Sequence, residues 1–148
     1  MFMKISTRSR YGLRIMVELA QNAGKGLISA ETIAKKQEIS EKYIHLLVGP
    51  LISAGLVRAV RGAQGGYEVA RSSDNISALD VIAAIEGKTE PAPCLGQKFT
   101  CSRETDCATQ DLWKTLASAV DNVLADCTLT NLMYRHRSKQ EAAITYQI

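Results

Sequence analysis

Two short amphipathic segments, each preceded by a serine able to cap a helix and joined by one tight turn, constrain this chain most. Ser29 opens Ala30 to Gln37, where Ile33 and Ala34 face inward, and the turn Gln37-Glu38-Ile39 follows. Ser40 opens Glu41 to about Ala54, whose Ile44, Leu47, Val48 and Leu51 share one face, and Gly55 stands where a left-handed stop belongs. Two short helices with such a turn, the second amphipathic and its polar face unoccupied, make a helix-turn-helix pattern.

The flanks strengthen it. Ser6 or Thr7 can cap a helix to about Asn22, with Tyr11, Ile15 and Leu19 on one stripe and Gly24 beyond its end. Leu56 to Val60 alternates as a strand, Arg61-Gly62-Ala63-Gln64-Gly65-Gly66 forms a flexible loop, and Tyr67 to Val69 returns as a second strand, a candidate wing. Pro50 deletes one backbone bond inside the third helix, so a kink is expected near Leu46 to Gly49.

Charge agrees with a polyanionic partner. The net charge of +3 conceals +5 in residues 1–75 (11 Lys+Arg against 6 Asp+Glu) and −2 in residues 76–148 (7 against 9). A basic front half suits phosphate contact. No apolar run approaches the roughly 20 residues that cross a bilayer, and Met1-Phe2-Met3 leads into charged Lys4 rather than a signal-peptide core. A cytoplasmic location, with no membrane partner, is expected.

The second half is organised differently. Ser77 and Asp80 resemble a capping box that opens Ala78 to Glu86, and Gly87 stops that helix. Residues 88–107 hold Pro91, Pro93 and three of the four cysteines with little apolar content, the composition of a functional or disordered loop. A long helix, about Thr109 to Ala125, carries Leu112, Leu116, Val120 and Val123 on one face with Trp113 beside them. Thr128 can cap a last helix through Arg135, with a flexible tail over 137–148. The expected layout is residues 3–87 as the helix-turn-helix unit with its wing, 88–107 as the cysteine loop, 108–136 as the long helix and a short helix, then the tail.

Cys94, Cys101 and Cys107 have six and five residues between them, whereas structural zinc sites pair cysteines two to four apart. Zinc is therefore the less expected metal for these soft thiolates. Cys127 lies outside the group and reads as structural.

Met3-Lys4-Ile5-Ser6 leading to Arg10-Tyr11-Gly12, Tyr43 in the third helix, Gly55-Leu56-Val57, Arg61-Gly62 with Gly65-Gly66-Tyr67, and the three-cysteine loop before Trp113 form an ordered set. It resembles the Rrf-two family of bacterial winged-helix regulators, over about residues 3 to 135. The resemblance implies a mainly α fold with a small β-hairpin wing, a winged helix-turn-helix domain followed by a long C-terminal dimerisation helix. It implies a homodimeric transcription factor, not an enzyme, that binds a double-stranded DNA operator and takes no small-molecule substrate. Leu112, Leu116, Val120 and Val123 would form the dimer interface.

A major groove about 12 Å wide admits a helix whose N-terminal residues reach base edges. That points Ser40, Glu41, Lys42 and His45 toward DNA. His45 stands where IscR-type members carry a base-reading acidic residue. Tyr43 either packs its ring on the domain or touches a phosphate through its hydroxyl. Arg61 can enter a narrow minor groove, as its counterpart in the family does.

For Cys94, Cys101 and Cys107 the resemblance implies a [2Fe-2S] cluster first and a [4Fe-4S] cluster second, sensing iron-sulfur status, redox state or nitric oxide. The fourth ligand departs from the pattern. Gln110 stands where IscR-type members have His, and Arg10 where NsrR-type members have a ligating Asp. Glu104, Asp106, Asp111 or an exogenous ligand are the remaining candidates.

Two other readings compete. One is a cluster-independent regulator of the same fold controlled by a partner protein, as in CymR-type members; these lack the cysteine triad, which argues against it here. The other is a small iron-sulfur or thiol redox protein, against which stand the missing CxxC and an unused basic half.

Overall fold

Five of the six α-helices among the described residues begin where the sequence supplies a side-chain acceptor for an otherwise unpaired backbone N–H; the fifth, Ala108–Ala125, has no such cap. Helix α1 (Thr7–Gln21) is capped by Ser6, α2 (Ala30–Gln37) by Ser29 and α3 (Glu41–Ser53) by Ser40, each accepting from the N–H three residues on at 3.1 to 3.2 Å. Capping boxes open α4 (Ala78–Glu86) through Ser77 and Asp80, and α6 (Leu129–Thr145) through Thr128 and Asn131. Between them lies α5 (Ala108–Ala125). The computed structural model describes residues 4–88, 90–96 and 100–146; Met3 of the N-terminal motif, residues 89 and 97–99 of the cysteine loop and the end of the tail lie outside them.

Strands β1 (Val57–Val60) and β2 (Gly66–Val69) pair antiparallel, with Val57 opposite Val69 and Val60 opposite Gly66. Ile28 extends this ribbon: its N–H donates to the Tyr67 carbonyl at 3.0 Å and its carbonyl accepts from the Tyr67 N–H at 2.8 Å. A Cβ on Gly66 would lie 2.4 Å from the Ile28 carbonyl oxygen, so this approach requires glycine. The fold is mainly helical with one small wing, as the sequence implies.

One core joins the helices. Ile15 and Leu19 of α1, Ile33 of α2, Ile44 and Leu47 of α3, and Val81 of α4 are all buried. Each stabilises the fold by roughly 1.5–3 kcal/mol relative to exposure. The helix α3 continues through Pro50, whose missing N–H falls in its last turns. Leu129 reaches the same core because α6 starts beside α4: its N–H donates to Ile76, and Ala78 N–H donates to Cys127.

Two boundaries differ from expectation. Helix α6 runs to Thr145, not Arg135, so most of the segment expected to be a flexible tail, 137–148, is helical although exposed. No hydrophobic face marks residues beyond Met133, and a polar helix is invisible to apolar periodicity. The stripe of α5 is also divided. Gln110, Trp113, Ala117, Val120 and Leu124 turn toward the protein, whereas Leu112 is 57%, Leu116 39% and Val123 70% exposed. Val120 thus sits at the edge of the exposed face rather than within it. Among the described residues no helix is long and apolar enough to cross a membrane.

Candidate nucleic-acid interface

The core residues of α3 fix which side it shows to solvent. With Ile44, Leu47, Val48 and Leu51 buried, Glu41, Lys42, His45, Leu46, Gly49 and Ile52 face outward. Ser40 is exposed at the N-terminus with its oxygen committed to the Tyr43 N–H. Tyr43 is half-buried, its ring edge against Tyr11 at 6.0 Å. Of the two roles considered for Tyr43, the packing role is the one this contact displays. Arg14 stacks over Tyr11 at 5.0 Å and donates through Nε to Gln37 at 2.7 Å, locking α1 against the end of α2.

Charge pairing sorts the cations. Lys35 is paired with Glu31 and Lys36 with Glu18 on α2 and α1, and Arg58 with Glu68 across the wing. The Glu31 carboxyl lies below its ordinary pKa because it accepts from Lys35, whose own pKa rises for the same reason. Lys42 and Arg61 make no ion pair among the described residues and are exposed, so their charge is available to phosphates. Arg61 begins the tip of the hairpin, followed by Gly62 at φ 118°.

His45 does not stand alone. Its Nδ1 lies 2.7 Å from the Tyr67 hydroxyl on β2, with the two rings edge to face at 6.2 Å. This contact brings helix and wing to one surface, and sequence reading missed it. A Tyr placed directly after Gly65-Gly66 in a returning strand was the only available signal. Leu46, 56% exposed beside His45, was missed too, because an apolar residue on an outer helix face breaks the binary pattern.

The thiols lie on one stretch of chain. Cys94 sits in a 3-10 turn, Pro93–Leu95, that packs on α5; Cys101 lies in the following turn; Cys107 is the residue before α5. All three are half-buried and none is in a disulfide. The Cys107 sulfur lies 3.2 Å from Thr109 Oγ1, and this hydroxyl together with backbone N–H groups of the first turn stabilises the thiolate and holds the pKa below the ordinary thiol value. Gln110 is 4% exposed in that turn.

Residues 5–135 match the model of Rrf2, described as an iron-dependent transcriptional regulator. The chain belongs to the Rrf2 family. It is 42% identical to the HTH-type transcriptional regulator CymR of Bacillus subtilis (strain 168), over 97% of this chain and 99% of that protein. The solved structure of CymR, the global cysteine regulator of B. subtilis, superposes with a TM-score of 0.77 at 40% identity, covering 90% of this chain and 98% of that one. T. potens IscR superposes with a TM-score of 0.75 at 35% identity, covering 93% and 91%. Rrf2 membership makes the chain a transcriptional regulator of a DNA-binding family and not an enzyme.

In this Rrf2 protein the donor set for a cluster fits in chemistry: three soft thiols on one loop, one of them with a lowered pKa. Their placement does not gather them. Among the described residues no three Cys, His, Asp or Glu side chains converge as a metal site, so Cys94, Cys101 and Cys107 are not brought together. Metal sites are seldom preformed without the metal, and loop rearrangement would have to bring them together. Cys127 is apart, at the α5–α6 junction.

Proposed function

We propose that this Rrf2 protein is a homodimeric transcriptional regulator that acts in the cytoplasm on a two-fold symmetric DNA operator. Helix α3 enters the major groove with Ser40, Glu41, Lys42 and His45 at its leading end, and Arg61 reaches the adjacent minor groove. Leu46 can meet a thymine methyl. The observation that carries the reading is the joined surface of α3 and wing, held by His45 and Tyr67, with Lys42 and Arg61 unpaired beside it.

Dimerisation uses the outward face of α5. Leu112, Leu116 and Val123 are exposed there with Val120 at the edge. A second copy related by a two-fold axis would cover them.

Cys94, Cys101 and Cys107 form the sensing element. An iron-sulfur cluster held by them, [2Fe-2S] before [4Fe-4S], would supply redox and ligand-exchange chemistry responsive to iron, oxygen or nitric oxide. The residues' part is to close the loop between α4 and α5, and so to set the angle between DNA-binding domain and dimer helix. A second reading is favoured by the dispersed thiols and the 42% identity to CymR: regulation without a cluster, through the thiols or a partner protein.

One preparation tests both. Protein reconstituted without oxygen from iron and sulfide is expected to absorb in the visible range, to lose that absorbance in Cys101→Ala, and to bind an operator with altered affinity. A colourless protein that binds DNA unchanged supports the second reading. Loss of all duplex binding overturns the regulator assignment itself.

A further inference from the structure

The wing in this chain is more than a backbone-contacting loop, because one of its side chains grips the residue that faces the groove. Tyr67 is held from both sides: its main chain exchanges two hydrogen bonds with Ile28, and its half-buried ring packs on the core. The hydroxyl therefore occupies a fixed point above α3. His45, on an exposed helix face, would otherwise rotate freely about two side-chain bonds; the hydrogen bond at 2.7 Å and the edge-to-face ring contact remove that freedom.

The direction of this hydrogen bond determines what the free ring nitrogen can read. A phenol is a good donor and a poor acceptor, while the unprotonated imidazole nitrogen is a strong acceptor. Burial pushes the Tyr67 pKa above its ordinary value, so the hydroxyl keeps its hydrogen at neutral pH. Among the described residues the only hydrogen-bond partner of that hydroxyl is His45. With Nδ1 accepting, the hydrogen of a neutral ring resides on Nε2, which has no hydrogen-bond partner among the described residues on this exposed side chain.

We propose that Tyr67 is a positioning residue for sequence readout: by donating to Nδ1 it holds His45 as an Nε2–H donor and so selects an acceptor-bearing base in each half-site. Guanine, with acceptors at both N7 and O6, ranks first; adenine and thymine follow with one acceptor each. Cytosine, which offers only its N4 amino donor in the major groove, ranks last. The opposite tautomer would invert this order in favour of cytosine. The inference rests on the reading that α3 lies in the major groove, and it names the chemistry of one position within it.

The test combines a randomised-duplex selection with nitrogen-15 spectra of the full-length protein labelled at histidine. Wild type is expected to show His45 with hydrogen on Nε2 and one guanine-preferring, cytosine-rejecting position per half-site. His45→Ala should erase preference at that position alone. Tyr67→Phe keeps the ring, the wing packing and binding to other positions, but should reduce the guanine-to-cytosine ratio there about fivefold, the worth of one hydrogen bond, and yield a mixture of tautomers. Unchanged discrimination in Tyr67→Phe, hydrogen on Nδ1 in wild type, or a cytosine preference at the His45-dependent position overturns the positioning role. If His45→Ala alters no position, base reading by His45 falls and the positioning role falls with it; failure of Tyr67→Phe alone leaves base reading intact.

Discussion

Ser9 donates its buried hydroxyl to Glu86 Oε1 at 2.5 Å, and Ser6 donates to the same oxygen, so the N-terminus of α1 is tied to the C-terminus of α4. The N-cap Ser6 and Ser9 of the first turn of α1 meet one carboxylate placed just before the Gly87 stop. The pair thus anchors the point where the cysteine loop leaves the DNA-binding domain.

Glu86→Ala is expected to lower stability by about 1–2 kcal/mol, because the Ser9 hydroxyl remains buried without its acceptor. Thermal unfolding measures it. Glu86→Gln keeps an acceptor oxygen and should lose less; equal losses in the two variants would contradict the assignment.

Leu116→Asp and Val123→Asp should each produce a folded monomer, since both side chains lie on the uncovered face of α5. Val120→Ala, at the inward edge, should act mainly on stability instead. Sedimentation together with helical content separates the effects, and a wild type already monomeric at micromolar concentration rules out this dimer.

Gly66→Ala should destabilise the wing. An added Cβ at Gly66 would collide with the Ile28 carbonyl, displacing the wing strand at a cost of about 1–3 kcal/mol. Chemical denaturation measures the loss, and an unchanged midpoint would show that the strand accommodates the added carbon.

Alkylation of Cys107 should follow a pH profile displaced below that of an ordinary thiol, because its thiolate is stabilised first by the Thr109 hydroxyl and then by first-turn N–H groups. Thr109→Val removes the leading contribution and should shift the profile to higher pH. Mass spectrometry of labelled peptides reads the rate, and an identical profile in the variant would show that the hydroxyl does not act on the thiol.

The caps and glycine stops, together with the buried faces of α1 to α4, were legible in the chain because each depends on residues within one turn of each other. Ser6, Ser29, Ser40 and Ser77 mark helix starts with no help from distant parts of the molecule. The low apolar content of residues 88–107 likewise announced an irregular stretch, and its described residues form only turns and the short 3-10 turn Pro93–Leu95. What only tertiary structure decided are relations across long stretches of sequence: His45 with Tyr67, Ser9 with Glu86, Ile28 beside the wing. Local periodicity gave α5 a single apolar stripe, but packing against α4 divided it into an inward edge holding Val120 and an outward face holding Leu112, Leu116 and Val123. Periodicity specifies that a helix has a face to bury; which neighbour covers it is set by how the whole chain excludes water, and that sum has no local signature.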